Sequence, residues 1–289
     1  MSTSTLNRLK EELASLPIKK EVCIYDKLLK ELQKTDPIST VKKVWKLFLI
    51  DRGLRCALLF GNADYSHAGL LKNPIHDIKL ISNKLEYLGF KVTTALNSTT
   101  KQDMVRELKS YAEKIQNLGD SLECSLFYYA GHGIQLKGKN YFIPIHTDIQ
   151  SKADIKENCM SMNYALEKLS EMSDRRCIHI SIIDACRNEL NTRGMKSMTR
   201  GNDIREGLCH ITAPSGSFVM FSAGEGKKAL DTCTESDTNS PFAWALNQFL
   251  QDDVEITKLA KRVTKEVRRL TREKQTPYNS GDLDDDFFF

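Results

Sequence analysis

Three spans within the first fifty residues repeat apolar positions at three- and four-residue spacing. They are Leu6, Leu9, Leu13 and Leu16; Val22, Tyr25, Leu28, Leu29 and Leu32; and, after Ser39-Thr40, Val41, Val44, Trp45 and Phe48. That period lines one face of a helix, and such a face has to be buried. Residues 1–52 therefore read as a helical extension. Its apolar faces pack either on their own domain or on a regulatory partner.

From residue 54 the pattern changes to alternating strands and helices. "LRCALLFG" is a strand ending on Gly61. "NPIHDIKLISNKLEYLG" is a helix: Asn73 suits its cap, Pro74 its first turn and Gly89 its end. "FKVTTAL" is the next strand, and "TKQDMVRELKSYAEKIQNLG" a helix with Thr99 or Thr100 as cap. "SLECSLFYYAG" is a buried strand, "KNYFIPI" a short extended piece, "NYALEKLSEMS" a helix and "RCIHISIID" a strand. This β-α-β-α-β-α-β order predicts an α/β fold, a mostly parallel central sheet flanked by helices on both faces.

The rhythm breaks from residue 189. Residues 191–215 are polar, contain Gly194, Gly201 and Gly207, and read as an exposed linker. The linker divides a domain of residues 53–289 into a larger part, 53–190, and a smaller part, 216–289. Order resumes with the strand "SFVMFSA" and the helices "SPFAWALNQFLQ" and "ITKLAKRVTKEVRRLTRE". "KQTPYNSGDLDDDFFF" is a turn-rich tail ending in aromatics.

Composition narrows the function classes. Hydrophobic residues make up 40% of the 289 and charged residues 28%, an ordinary soluble balance. A net charge of +4 is weak for a nucleic-acid binder, and the basic stretch "KRVTKEVRRLTREK" lacks aromatics and reads as a solvated helix face. No apolar run approaches the ~20 residues of a membrane helix. The N-terminus "MSTSTLNRLKEELASL" has no apolar signal core. The eight cysteines form no C-x-x-C pair, and Cys56, Cys124 and Cys177 sit in strand-like runs as small reduced hydrophobes. A cytoplasmic protein without membrane or nucleic-acid partners is expected. His67, His76, His146, His179 and His210 lack metal-ligand spacing, and the Asp284-Asp285-Asp286 run reads as a solvated edge, so neither metal nor cofactor is expected. "GNADYSHAG" and "GEGKK" fit neither phosphate-loop nor dinucleotide spacing.

Two strands end on reactive residues, and open parallel sheets collect their chemistry outside the strands' carboxyl ends. "YYAGHGI" delivers His132 between Gly131 and Gly133; "IIDACRN" delivers Cys186. Each alone is compatible with packing. Together they make a candidate nucleophile and base, since a thiol attacks as the thiolate. Residues two apart on a strand share a face, so Asp184 and Cys186 are expected on one side. A carboxylate beside the attacking sulfur suits a cationic substrate side chain.

"YYAGHGIQLKGKNYFIPI" followed by "IIDACRN" resembles the caspase-like (clan CD) cysteine peptidases, nearest the paracaspases and bacterial orthocaspases. The resemblance extends over residues 54–289, through "FGNADYSHAGLLKNPIHDIKLISNKLEYLGFKV" and "FVMFSAGEGKKALDTCTESDTNSPFAWALNQFL". True caspases carry Q-A-C-R-G around the nucleophile, with histidine about fifty residues upstream. Here the separation is 186 − 132 = 54, but Asp184 replaces the Gln and Asn188 the Gly. Metacaspases favour Asp-Ser-Cys-His, which "DACRN" does not match.

The resemblance implies a caspase-like fold and an endopeptidase that cuts after Arg or Lys. It casts Cys186 as nucleophile, His132 as acid–base partner, and the N–H groups of Gly133 and Cys186 as oxyanion hole. It lines the pocket for the residue before the cut (P1) with Asp77, Asp184 and Asp231, Glu225 being a rival for the last. Alone, Asp77 reads equally as a helix N-terminal charge and Asp231 as a solvated loop residue. Arg193, Lys196, Arg200 and Arg205 are candidate self-cleavage points in the linker. Implied partners are protein substrates with a basic P1 residue, a regulatory partner of the N-terminal helices and a second copy of the chain. The alternative is a catalytically weak scaffold of the same fold, acting through protein–protein contacts.

Overall fold

Five consecutive residues of Leu54–Gly61 (β1), Cys56 to Phe60, are fully buried. Cys56, Leu58 and Phe60 enter one core cluster; Ala57 and Leu59 enter another on the opposite side. An apolar run buried on both faces marks the interior strand of a covered parallel sheet. The computed structural model describes residues 53–171, 177–186, 204–205, 208–209 and 211–289, apart from residues 226, 228, 233–234, 282 and 284. The expected N-terminal helices, and Arg193, Lys196 and Arg200, lie outside the described residues.

The remaining strands are Lys91–Leu96 (β2), Leu122–Leu136 (β3), Lys139–Phe142 (β4), Met160–Ser161 (β5), Ile178–Cys186 (β6), Ile204–Arg205 (β7), Ser217–Phe221 (β8) and Tyr278–Gly281 (β9). The sheet runs β2-β1-β3-β6-β8-β9, parallel as far as β8, with β9 antiparallel to it. The 15-residue β3 outruns its neighbours, and its last four residues pair antiparallel with β4.

Helices Pro74–Tyr87 (α1), Pro241–Phe249 (α5) and Ile256–Leu270 (α6) supply one core cluster, through residues such as Ile81, Phe242 and Val263. Lys101–Gln116 (α2) and Met162–Glu171 (α4) supply the opposite cluster, through Met104, Leu108 and Leu169. Lys152–Asn158 (α3) adds Ile155 to a third cluster under β4. The fold is the α/β arrangement that the periodicity predicts. No helix among the described residues is long and apolar enough to cross a membrane.

One open local reading is settled and two change. Thr100, not Thr99, caps α2, in a reciprocal box with Asp103. Asn73 stands at the cap position of α1 without capping it; its side-chain amide donates instead to the Asp231 carbonyl. Arg205, expected in an exposed linker, has its backbone in β7, paired with Gln135 of β3. The end of β3 otherwise presents open N–H and C=O groups, which a passing strand satisfies. Cys209, also in that linker, is buried: the Asn140 side chain accepts from its N–H at 2.9 Å and donates to its carbonyl at 2.8 Å.

The tail is docked rather than loose. Phe287 and Phe289 are buried in the cluster around α6. Arg55 donates to both carboxylate oxygens of Glu123 and to the Phe288 carbonyl, and its guanidinium lies 5.0 Å from the Phe287 ring centroid. Asp285 and Asp286 are exposed.

Candidate active site

Parallel pairing of β3 with β6 puts His132 in register with Cys186, at the last step of the ladder. Both residues lie at the carboxyl end of the parallel ladder, where ligands of such folds collect.

His132 is 1% exposed and held from three sides. Its N–H donates to the Tyr65 hydroxyl and its carbonyl accepts from the Tyr129 hydroxyl, each at 2.7 Å. Its Nε2 is 2.7 Å from the Gly69 carbonyl, and its ring lies 4.4 Å from that of Tyr65. A carbonyl only accepts, so Nε2 carries the hydrogen and Nδ1 holds the lone pair of the neutral ring.

The two glycines have separate reasons. A Cβ at Gly131 would stand 2.7 Å from the Tyr65 hydroxyl and 2.8 Å from that of Tyr129. Glycine thus admits the two hydroxyls that brace His132. At Gly133 the reason is direction. Asn62 N–H donates to the Ala130 carbonyl and Ile143 N–H to the His132 carbonyl, so both carbonyls face the β1–β4 side of β3. Gly133 and Phe142 are then a non-hydrogen-bonded pair. The Gly133 N–H points to the other edge, which β6 borders as far as Cys186. Leu208 packs over this glycine: its Cδ2 would lie 3.0 Å from an added Cβ.

Carboxylates gather on the α1–α5 side. Asp77, in the first turn of α1, and Asp184 of β6 are each 2% exposed. Asp77 Oδ1 accepts from Asn239 Nδ2 at 2.8 Å and from the Ser240 N–H at 3.1 Å. Asp184 Oδ2 accepts from Ser240 Oγ at 2.6 Å, while its Oδ1, also buried, has no hydrogen-bond partner among the described residues. Burial, and then the charge of Asp184, hold the Asp77 carboxyl well above the ordinary range. Burial pushes Asp184 up to about 6; the hydroxyls of Ser240, Ser222 and Tyr128 pull the other way, and the Asp231 charge adds to the rise. Half-buried Asp231 accepts from the Lys72 N–H at 3.1 Å. Its charge acts on both Asp77 and Asp184, whereas that of exposed Glu225 acts on Cys209.

The caspase-domain family model matches residues 54–288. The chain belongs to the caspase-domain family. It is similar to the mucosa-associated lymphoid tissue lymphoma translocation protein 1 of Homo sapiens, 25% identical over 223 residues, covering 76% of this chain and 25% of that protein. The Mus musculus homolog is 24% identical over 223 residues, covering 76% of this chain and 24% of that protein. The chain thus spans about a quarter of the length of these curated relatives. The relationship bears out the resemblance to the paracaspase side of the caspase-like proteins.

Within this caspase domain, the expected residues fall into two adjoining groups. His132, Gly133 and the Cys186 backbone meet at the β3–β6 end. Asp77, Asp184 and Asp231 act electrostatically on one another beside it. Asp184 stands two ladder steps before Cys186 in the β3 pairing, opposite Ala130. Sequence reading missed the residues that hold both groups: Tyr65, Gly69 and Tyr129 for His132, Asn239 and Ser240 for the carboxylates. Only Ser240 left a signal, as the polar residue before Pro241 at a helix start. Four further cysteines are core residues. Cys56, Cys124, Cys159 and Cys209 are buried, and burial pushes their thiols up, Cys159 to about 12. At neutral pH they stay protonated, as core thiols do.

Proposed function

We propose that this caspase domain is a cysteine endopeptidase that cuts peptide bonds after Arg or Lys. The observation that carries the reading is the convergence of Asp77, Asp184 and Asp231 beside the His132–Cys186 pair, with Asp184 Oδ1 buried and without a hydrogen-bond partner among the described residues. Like charges are driven together at a cost unless a cation completes them. A guanidinium or ammonium from the substrate supplies that cation and sets the scissile carbonyl over the thiolate.

In this reading the Cys186 thiol passes its proton to His132 as the sulfur attacks the carbonyl carbon, and the oxyanion is received by the N–H groups of Gly133 and Cys186. His132 delivers a proton to the departing amine, leaving a thioester. Water then adds to the thioester, losing its proton to His132 and releasing the acid and the thiol. The Gly69 carbonyl fixes the tautomer and aims the ring. The partners are protein substrates with a basic P1 residue. A second copy of the chain, and a regulator of residues 1–52, belong to the same proposal.

The chain also cuts itself in this reading, at Arg193, Lys196, Arg200 or Arg205. At Arg205 the backbone is paired in β7, which opposes cleavage at that residue.

Short reporter peptides ending in Arg, Lys or Asp, offered to wild type and Cys186→Ala, test the function. Turnover of Arg and Lys reporters by wild type alone is expected. Preference for Asp would overturn the pocket assignment, and equal turnover by Cys186→Ala would overturn the nucleophile. A folded wild type that turns over none would point to the scaffold role. Mass spectrometry of the same two proteins tests self-cleavage: fragments ending at a linker Arg or Lys are expected in wild type only.

A further inference from the structure

One residue touches both buried carboxylates of the acidic pocket. The Ser240 N–H donates to Asp77 Oδ1 at 3.1 Å and its Oγ to Asp184 Oδ2 at 2.6 Å. The same Oγ accepts from the Ala243 N–H at 2.9 Å, capping α5. Ser240 is itself 2% exposed, so water does not substitute for these bonds.

The directions of the bonds are forced. A backbone N–H can only donate, so Ala243 makes Ser240 Oγ an acceptor and commits the single hydroxyl hydrogen to Asp184. Asp184 Oδ2 is therefore an acceptor. Asp77 Oδ1 is one too, because it faces two N–H donors, from Ser240 and Asn239. That leaves Asp184 Oδ1 and Asp77 Oδ2 outside these bonds; the first is buried without a hydrogen-bond partner among the described residues, although the Ser222 and Tyr128 hydroxyls act on the same carboxyl.

We infer that Ser240 is the positioning residue of the P1 pocket: it ties Asp77 and Asp184 to the start of α5 and turns one oxygen of each toward the substrate cation. The inference rests on the cationic-P1 reading above. Ser240 touches neither the reacting carbonyl nor the sulfur in this scheme, so it acts on recognition. It also keeps Asp184 ionised, since donation to a carboxylate favours its charged form. α5 thereby becomes part of the specificity apparatus: a shift of its first turn moves both carboxylates.

The test compares Ser240→Ala, Ser240→Gly and Ser240→Thr with wild type. Glycine caps a helix nearly as well as serine, so the Gly variant removes the hydroxyl while sparing α5, should the Ala variant fold poorly. The readouts are kcat and KM for Arg- and Lys-ended reporters from pH 5 to 9. Ala and Gly are expected to raise KM about tenfold or more, the loss of one hydrogen bond to a charged group, with kcat changed far less. The acid limb of kcat/KM should move to higher pH in both, and Thr should restore both properties. Unchanged KM and acid limb in the Gly variant, with wild type cutting after Arg, would overturn the Ser240 role alone. A fall in melting temperature without a KM or pH effect would do the same, reducing Ser240 to a helix cap. Wild type that ignores Arg and Lys reporters would remove the pocket reading and this inference with it.

Discussion

His132 and Cys186 are register partners on adjacent parallel strands, the last pair of the β3–β6 ladder. Their backbones are therefore fixed relative to each other by the sheet rather than by loops. Residues that act as a unit give non-additive losses when removed. His132→Ala and Cys186→Ala should each abolish at least ~99% of turnover, and the double variant should be scarcely worse. Steady-state assays with an Arg-ended reporter check this; losses that multiply would show two independent contributions.

The tyrosine braces on His132 give a second expectation. Tyr65→Phe leaves the buried His132 N–H without its acceptor, a loss of about 1–3 kcal/mol in stability by urea denaturation. Gly131→Ala displaces the Tyr65 and Tyr129 hydroxyls together and should lower kcat further than Tyr65→Phe does. A Gly131→Ala enzyme of wild-type kcat would show that the braces do not set the histidine.

Asp184 makes pH a probe of the pocket. Its carboxyl titrates near 6 when folded, above the ordinary 3.8, so the native state holds this proton more tightly than the unfolded chain. The stability it contributes is complete below about pH 4 and lost as pH rises through about 6. Asp184→Asn cannot lose that proton. Its stability relative to wild type should rise by about 1–3 kcal/mol between pH 4 and 8, followed by urea denaturation. Its turnover of Arg reporters should fall at least tenfold, while wild-type kcat/KM climbs through about pH 6 as the pocket gains its charge. A pH-independent stability difference would place the perturbation elsewhere.

Arg55 is the third structural lever. It is 4% exposed, pairs with Glu123 and spans two aromatic rings, Phe90 and Phe287. Arg55→Ala removes packing as well as charge and should cost about 2–4 kcal/mol. Phe289→Ala should cost about 3–5 kcal/mol, since its ring is fully buried. Thermal melts would show both, with KM for Arg reporters unchanged in the folded fraction.

The fold was legible because the interior strands carry their burial in the sequence: β1 and β3 are nearly uninterrupted apolar runs, which only a sheet covered on both faces accommodates. His132 and Cys186 were legible because each follows such a run. Asp77 was ambiguous, since a carboxylate in a helix's first turn suits the helix dipole; its 2% exposure and its bonds to Asn239 and Ser240 follow from contacts more than 160 residues away. Tyr65 and Gly69 lie in a loop without period, and what they do depends on where β3 ends. The docking of Phe287 and Phe289 was missed for a related reason: neighbouring acidic residues mask an aromatic pair whose partners come from β1 and α6.

The Arg55 clamp changes what a break in the linker would mean. Arg55 opens the larger part of the domain, whereas Phe287 and the Phe288 carbonyl that it grips close the smaller part. Severed between residues 193 and 200, the chain becomes a heterodimer of two fragments. Its interface includes the β6–β8 ladder, five pairs long, the β3–β7 pairing, and the buried aromatic anchors beside Arg55. Anchors of that kind govern dissociation rate more than encounter rate. The nicked molecule would therefore have a long residence time, and dilution alone would separate it slowly.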